Sequence, residues 1–179
     1  MTDPLSLIRK YYPEDNELRR ILLTHSESVA RKALDVAERH PELALDRTFL
    51  HDAALLHDVG IFLTDAPGIH CHGTEPYLMH GYLGAQLMRR EGLPDIARVC
   101  ERHTGTGLTA AAIAQQGLPL PPGDYTPETL EEQVVCYADK FFSKTHLDRE
   151  RTVDQVCHSL ERFGPDGVER FRRWQERFG

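Results

Sequence analysis

Apolar residues recur at steps of three and four along most of the chain, and this spacing constrains the fold more than any other feature. In the stretch 15–39 the apolar positions include Leu18, Leu22, Val29, Ala33 and Val36. Such a repeat places apolar side chains on one face of an α-helix. No segment alternates for long with a period of two, as a half-buried strand would. We therefore predict an all-α single domain, residues 1–179, of about seven or eight helices.

Capping and breaking residues indicate where the helices begin and end. Asp46 and Thr109 are predicted N-caps, and His40-Pro41 should end the long helix because the residue before proline avoids the helical region. Asp95 is expected to cap another helix, and Thr126-Pro127 to start one that runs to about Lys144. The remaining predicted helices span 4–12, 77–91, 152–163 and 165–177. Residues 59–76 contain several Gly and Pro residues and are predicted to form a loop over the functional site.

The charge balance limits the kinds of partner that the protein can bind. It has 28 acidic against 21 basic residues, a formal net charge of -7 and a pI near 5.8. Nucleic acids and anionic membrane surfaces favour basic proteins, so we expect neither as a partner. A small phosphorylated substrate remains compatible, because a local cationic metal site can outweigh the global field.

Cysteine usage and the N-terminal residues point to the compartment. The four cysteines are scattered and form no CxxC pair. This fits a reducing cytoplasm better than a disulfide framework or a zinc finger. The N-terminus lacks the apolar core of a signal peptide, and no apolar run is long enough to span a bilayer. We therefore expect a cytoplasmic protein.

The stretch 51–60, HDAALLHDVG, is the strongest local indication of chemistry. Its apolar run predicts a buried helix that ends on His57-Asp58, and Gly60 suits the left-handed residue that closes a helix. A buried charge is costly unless it is paired or bound to a metal. The pair therefore indicates either a divalent transition-metal site or a helix end with a hydrogen-bonded histidine. The earlier pair, His51-Asp52, lacks the Val-Gly ending and is expected at the surface or in a supporting role.

Further candidate ligands lie on or at the ends of other predicted helices. They are His25, His80, His103 and Asp139. A single histidine on an apolar stripe, such as His25, also fits a core histidine without a ligand role. Five helices could nevertheless each direct one group to a common point, as helical bundles do when they build metal sites. The loop triplet His70-Cys71-His72 is another candidate source of ligands, although it has no carboxylate beside it.

The order and approximate spacing of these residues resemble the HD superfamily of metal-dependent phosphohydrolases. The matching residues are His25, His57-Asp58 and Asp139, and His57-Asp58-Val59-Gly60 is close to the HDIG subtype. His80 and His103, each near glycine, resemble the extra histidines of members that hold two metals, such as the HD-type diadenosine tetraphosphate hydrolases. The GYP signature of the HD-GYP phosphodiesterases is absent. The resemblance covers about residues 18–146 and is nearest to small single-domain HDIG proteins, with the helices of 152–177 expected to pack on this core.

The resemblance implies a metal centre with a defined ligand set. His25, His57, Asp58 and Asp139 would hold a first divalent metal. Asp58 would bridge to a second metal, held also by His80, His103 and one further group, and we expect two metals rather than one. Such ligands suit several divalent metals, and the ligand types do not choose among them; we expect iron or manganese, with zinc, cobalt, nickel or magnesium as alternatives.

The resemblance also implies a reaction, the attack of a metal-activated hydroxide on phosphorus. The catalytic candidates are Asp58 and Lys140. Lys140, Lys144, Arg102 and Thr104 are the candidates for binding the phosphate of the substrate, and a solvated charge is the alternative for each basic residue.

The expected function is hydrolysis of a small phosphorylated substrate, either a nucleotide or a dinucleoside polyphosphate. One alternative is a cyclic-phosphate phosphodiesterase on the same site, and another is a binding or regulatory module that retains the metal without the chemistry. The last predicted helix has an apolar stripe formed by Phe171, Trp174 and Phe178. This stripe should dock on the core or, in a homodimer, on a second subunit.

Overall fold

Nine α-helices account for most of residues 3–179, the part of the chain that the computed structural model describes. They are α1 (Pro4–Tyr11), α2 (Glu17–Arg39), α3 (Arg47–Leu56), α4 (His80–Arg90), α5 (Pro94–Glu101), α6 (Ala110–Gln116), α7 (Leu130–Asp139), α8 (Val153–Leu160) and α9 (Pro165–Phe178). The predicted all-α class is therefore confirmed, with a slightly larger number of helices than expected. None of the helices in this part of the chain combines the length and apolarity that crossing a lipid bilayer requires.

Side-chain caps set several helix ends where the sequence predicts them. The Asp46 carboxylate accepts a hydrogen bond from the backbone N–H of Phe49, and the Thr109 hydroxyl accepts one from that of Ala112. Each bond satisfies one of the N–H groups that a helix start leaves without a partner. Helix α2 ends at Arg39, directly before His40-Pro41, as expected.

Two predicted helix starts are wrong. Asp95 lies inside the first turn of α5, because Pro94 occupies the first helical position and so the preceding residue is the N-cap. Helix α7 begins after Thr129 rather than at Thr126. Thr129 and Glu132 form a reciprocal capping box, which satisfies two N–H groups at once and outcompetes the earlier Thr-Pro start.

The end of α7 also differs from the prediction. The helix stops at Asp139, and the chain then forms a hairpin in which β4 (Phe142–Ser143) pairs antiparallel with β5 (His146–Glu150). Lys144 lies in the turn of this hairpin rather than on the helix. The early stop therefore leaves Asp139 at a helix end and turns Lys144 back toward the centre of the molecule.

The predicted loop 59–76 contains three short strands. Strand β1 (Thr64–Ala66) pairs antiparallel with β2 (Cys71–His72) and parallel with β3 (Glu75–Pro76). Within this segment Cys71 is buried, whereas the histidines on either side of it are exposed. The triplet His70-Cys71-His72 therefore does not converge on one point and contributes to neither of the donor groups described below.

Gly60 is needed for close backbone packing and not, as predicted, for a left-handed residue at the end of a helix. Its φ is -85°, which any residue can adopt, so it is not a left-handed helix closure. A Cβ atom at Gly60 would instead lie 2.3 Å from the carbonyl oxygen of His80 and 2.5 Å from the backbone nitrogen of Gly84. Glycine is therefore needed because α4 approaches the backbone after α3 closely. This approach brings the start of α4 next to the His-Asp pair.

The apolar core joins the helices that carry the candidate ligands. Helix α2 packs on α3 and α7, and α4 packs on α5. The aromatic stripe of α9 docks on this core, as one of the two alternatives predicted: the rings of Phe171 and Phe178 each lie with their centroids 5.6 Å from that of Tyr137 on α7. The C-terminal helix therefore supports the helix that ends in Asp139.

Candidate metal centre

Six buried side chains from five helices meet at one place in the core. His25 lies within α2, His57 and Asp58 follow α3, His80 begins α4, His103 follows α5, and Asp139 ends α7. The structure thus brings together all six predicted ligands. Five of them lie at or just beyond helix ends, where the local chain stops filling the core with apolar side chains and can present a polar group.

The first donor group is formed by His25, His57, Asp58 and Asp139. The Nε2 atom of His25 lies 3.0 Å from Oδ1 of Asp139 and 3.2 Å from Oδ2 of Asp58. The Nε2 atom of His57 lies 3.3 Å and 3.1 Å from the same two oxygens. Two imidazole nitrogens and two carboxylate oxygens therefore face one another.

The second donor group shares Asp58 with the first. The Nε2 atoms of His80 and His103 each lie 3.3 Å from Oδ1 of Asp58, and 3.0 Å from one another. Asp58 thus presents Oδ2 to the first group and Oδ1 to the second. Both oxygens are fully buried, and their neighbours are the imidazole nitrogens of the two groups and, at Oδ2, the Lys144 ammonium.

Backbone carbonyl groups hold three of the imidazoles in one orientation. The Nδ1 atoms of His57, His80 and His103 lie 2.6–2.7 Å from the carbonyl oxygen three residues earlier. A carbonyl oxygen can only accept, so each Nδ1 carries a proton, and Nε2 is the ring nitrogen that faces the centre. Partners of this kind fix the tautomer that a metal-binding histidine needs.

Opposing charges set the pKa values in the first group. Burial disfavours the charged form of His57, but the two neighbouring carboxylates outweigh it and raise the pKa of His57 to about 9. Burial also opposes ionisation of Asp58, yet His57 and Lys144 hold the pKa of this carboxyl well below its usual range. Burial likewise opposes ionisation of Asp139, but neighbouring groups, chiefly Lys140, hold its pKa well below the usual range. Both carboxylates are therefore ionised at neutral pH.

The second group brings two imidazole nitrogen atoms face to face, the Nε2 atoms of His80 and His103. Burial lowers the pKa of His103 to about 4, partly opposed by the neighbouring Asp58 carboxylate, so the ring is neutral at pH 7. Two unprotonated Nε2 atoms at 3.0 Å would repel each other, and a cation near both would remove that repulsion. Neighbouring donors around a metal with bonds of about 2.1 Å are roughly 3.0–3.4 Å apart. The observed spacings of 3.0–3.3 Å in both groups fit such an ion.

Two lysines contact the carboxylates of the centre. The Lys140 ammonium lies 2.7 Å from Oδ2 of Asp139 and donates to the carbonyl oxygen of His103 at 2.7 Å. It therefore orients Asp139 so that Oδ1 faces the imidazoles. The Lys144 ammonium lies 2.6 Å from Oδ2 of Asp58, and this ion pair raises the pKa of Lys144 despite its burial.

A cavity of about 640 Å³ opens beside the centre. His80, His103 and Asp139 form part of its wall, and Thr104, Lys140 and Lys144 also line it. Arg102 does not join them: its guanidinium donates to the carbonyl oxygen of Thr126 and lies 3.2 Å from the carboxylate of Glu128. Arg102 thus binds the segment that precedes α7 and does not line the cavity.

Two basic residues of the cavity were missed by the sequence reasoning. Arg151 follows the β4–β5 hairpin, and Arg162 lies in the turn after α8. Neither belongs to a motif or is adjacent to a ligand, so their placement depends on how the C-terminal segment folds back over the centre. No local signal in the sequence could have separated them from the other exposed arginines.

The fold and the site together define a helical protein with a His/Asp centre suited to divalent metal ions. The comparison with protein families narrows this class further. The family model for the HD domain matches residues 22–143, which contain all six candidate ligands. The chain therefore belongs to the HD domain family.

Related proteins occur in archaea. A tRNA (cytidine(56)-2'-O)-methyltransferase of Picrophilus torridus is 32% identical over 162 residues, and its counterpart in Thermoplasma volcanium is 32% identical over 171 residues. The chain spans only 42% and 44% of the length of these two relatives. An uncharacterised protein of Methanocaldococcus jannaschii is 35% identical over 147 residues, which cover 76% of this chain and 78% of that protein.

A solved structure has the same fold. The HD domain of the Listeria monocytogenes phosphodiesterase PgpH superposes with a TM-score of 0.54, over 97% of this chain and 95% of that one. The two sequences are 14% identical, so the similarity shows a shared helical architecture.

Proposed function

We propose that this protein is a metal-dependent phosphohydrolase that acts on a small phosphorylated substrate, with a nucleotide or a dinucleoside polyphosphate as the expected class. The observation that carries the proposal is the shared carboxylate: Asp58 presents one oxygen to each of two donor groups, beside a cavity with basic residues. Membership of the HD domain family supports it.

The donor set also suggests which metals bind. Imidazole and carboxylate ligands suit several divalent metals, of which we propose iron or manganese, with one ion in each donor group. His25, His57, Asp58 and Asp139 would hold the first, and Asp58, His80 and His103 the second. When bound, such metals lower the pKa of coordinated water and neutralise charge on phosphoryl oxygens.

The other residues of the site position the reacting groups. The carbonyl-held imidazoles keep their Nε2 atoms directed at the centre, and the Lys140 ammonium keeps Asp139 turned toward it. Thr104 and Lys144 line the cavity and can bind phosphoryl oxygens of a substrate that enters there. Burial of the ligands excludes bulk water from the centre and strengthens each of these interactions.

The methyltransferase name of two relatives does not extend to this proposal. The chain matches less than half of their length, and the site described here is a cluster of histidine and aspartate side chains that could hold metal ions. All four cysteines are buried and free, as a reducing compartment permits, so we place the protein in the cytoplasm.

The test is a substrate panel combined with metal analysis. Protein loaded with iron or manganese should hydrolyse one or more of a set of nucleotides, dinucleoside polyphosphates, cyclic nucleotides and a chromogenic phosphomonoester, with the products identified by chromatography. Asp58→Ala should lose both turnover and bound metal, because both donor groups lose their shared oxygen ligand. Asp52→Ala, which removes the carboxylate of the earlier and more exposed His-Asp pair, is the matched control and should keep both. Bound metal without turnover of any probe would support the non-catalytic module instead.

A further inference from the structure

The cavity beside the centre contains four basic side chains, which fall into two pairs with different partners. Lys140 and Lys144 are each ion-paired with a candidate ligand, as described above. Arg151 and Arg162 also line the cavity, and among residues 3–179 neither has a carboxylate within ion-pair distance. Their charges are therefore available to a bound anion.

The surroundings of the two arginines fit a ligand rather than a structural ion pair. The guanidinium of Arg151 lies 3.5 Å from the carbonyl oxygen of Lys140 and is half-buried at the cavity wall. The guanidinium carbon of Arg162 lies 4.8 Å from the ring centroid of Phe163, which also lines the cavity. Asp139 is the only acidic residue lining the cavity in the described part of the chain, and Lys140 already balances it. An anion at the arginines would meet no uncompensated repulsion.

The cavity also has room for the body of a molecule between these arginines and the centre. Its volume of about 640 Å³ is within the usual range for small-molecule sites. Phe142, Leu160 and Phe163 contribute apolar surface to its wall. A planar or apolar group could pack there while a phosphate lies at the centre.

We propose that Arg151 and Arg162 form a second anion subsite, so that the preferred substrate is a phosphate ester carrying a second anionic group as well as a planar or apolar body. This inference rests on the proposed function for the role of the first phosphate. Both arginines lie beyond residues 22–143, the part that matches the HD domain model. Under this proposal, substrate specificity depends on residues C-terminal to the part of the chain that matches the family model.

The test compares two probes that differ by one phosphate, adenosine 5'-monophosphate and adenosine 3',5'-bisphosphate. Binding to protein with added Mn²⁺ is measured by calorimetry, and the readout is the ratio of the two dissociation constants. We expect the wild-type protein to bind the bisphosphate about tenfold more tightly or better, as a charge-assisted guanidinium–phosphate contact would give. Arg151→Gln and Arg162→Gln should each reduce this ratio several-fold.

Control variants separate the subsite from general charge and from folding. Arg172→Gln removes an exposed arginine that does not line the cavity, and its ratio should equal that of the wild type. Arg151→Lys should keep part of the preference because the charge remains while the forked geometry is lost. Unfolding curves check that the half-buried Arg151 variants are folded, and Arg162, which is exposed, gives a variant with little risk to folding.

The possible outcomes distinguish this inference from the proposed function. An equal ratio in the wild type and both glutamine variants, or no binding of the bisphosphate, would overturn the subsite. Phosphate release from the same samples is recorded in parallel. Hydrolysis combined with a ratio of dissociation constants that neither arginine changes would retain the function and refute the subsite. A ratio that depends on the arginines, without hydrolysis of any probe, would retain the subsite and count against the function.

Discussion

At the scale of single residues, the arrangement of Asp58 is the feature that the chemistry depends on. It is fully buried, is ionised, and has imidazole nitrogens at both oxygens. Burying a carboxylate costs several kcal/mol unless cations compensate it. In the described structure that compensation comes from His57 and Lys144. A metal ion would compensate the same negative charge. Protonated His57 and the Lys144 ammonium therefore compete with the metal for the Asp58 carboxylate.

The second donor group gives a prediction about metal count. His80→Ala and His103→Ala should each lower the metal content of manganese- or iron-saturated protein from two ions per chain toward one, because the first group keeps all four of its ligands. Elemental analysis of purified protein measures this directly. His72→Ala is the control, since this exposed histidine belongs to neither group. Wild-type protein that binds one ion at saturation, with unchanged variants, would contradict the prediction.

Removal of Lys144 should have the opposite effect and strengthen metal binding. Its ammonium lies 2.6 Å from Oδ2 of Asp58, an oxygen that a metal in the first group needs. Lys144→Met removes this competitor, so affinity for Mn²⁺ should rise by about tenfold, which corresponds to roughly 1.4 kcal/mol. Titration followed by electron paramagnetic resonance of free Mn²⁺ reports the change. Lys10→Met, which breaks a surface ion pair with Glu91, should leave the affinity as it is. Unchanged or weaker binding in Lys144→Met would mean that the lysine does not compete.

At the scale of helices, glycine at two contacts decides how closely α4 approaches its neighbours. Gly60 permits contact between α4 and the backbone that follows α3, and Gly81 permits contact between α4 and the end of α5. The carbonyl oxygen of Cys100, which Gly81 faces, is also the group that holds Nδ1 of His103. The same carbonyl oxygen therefore limits how closely α4 packs on α5 and orients the ring of His103.

This shared atom makes Gly81→Ala informative. Alanine normally favours a helix over glycine, but here its Cβ would lie 2.4 Å from the carbonyl oxygen of Cys100. We expect a net loss of about 1–3 kcal/mol in the free energy of unfolding, as for other overpacked sites, together with weaker binding of the second metal. Gly68→Ala, where a Cβ would meet nothing within 4 Å, should change the unfolding free energy by less than about 0.5 kcal/mol. Equal stabilities in urea for the two variants would refute the steric argument.

The candidate metal ligands could be predicted from the sequence, whereas the roles of several residues around them could not. His25, His57, Asp58 and Asp139 were identifiable because their order and spacing repeat a known pattern, and the helix class followed from apolar periodicity. Gly60 was misread because a conformational reason and a packing reason for glycine look the same in a sequence. Lys144 was misplaced because no local signal marks the end of α7, which depends on the hairpin that follows. Arg151 and Arg162 could not be assigned to the cavity, because only the tertiary fold brings them there.

At the scale of the whole molecule, the C-terminal helix stabilises the centre without touching it. The ring of Phe171 stacks on that of Tyr137 at a centroid distance of 5.6 Å and an interplanar angle of 24°, two residues before Asp139. Phe171 is fully buried, and both rings also contact Phe141. The packing of α9 on α7 therefore keeps the end of α7 in place.

Truncation of this contact should affect both stability and metal binding. Phe171→Ala should lower the free energy of unfolding by about 3–5 kcal/mol, as other buried phenylalanine deletions do, and weaken retention of the first metal. Urea denaturation and metal analysis after dialysis measure the two effects. Leu5→Ala, at a side chain that is 40% exposed, is the control and should stay within about 0.5 kcal/mol of the wild type. Full stability of Phe171→Ala would show that α9 contributes little to the core.

The hydrogen bonds between three imidazoles and the carbonyl groups three residues earlier have a further consequence for the rate and reversibility of metal exchange. His57, His80 and His103 already have the ring orientation that coordination through Nε2 requires, so little rotational entropy remains to be lost when an ion enters. The helices also form their packing through apolar contacts rather than through the ion. Stripping the metal with a chelator should therefore leave an intact scaffold, and adding it back should restore the centre without a refolding step.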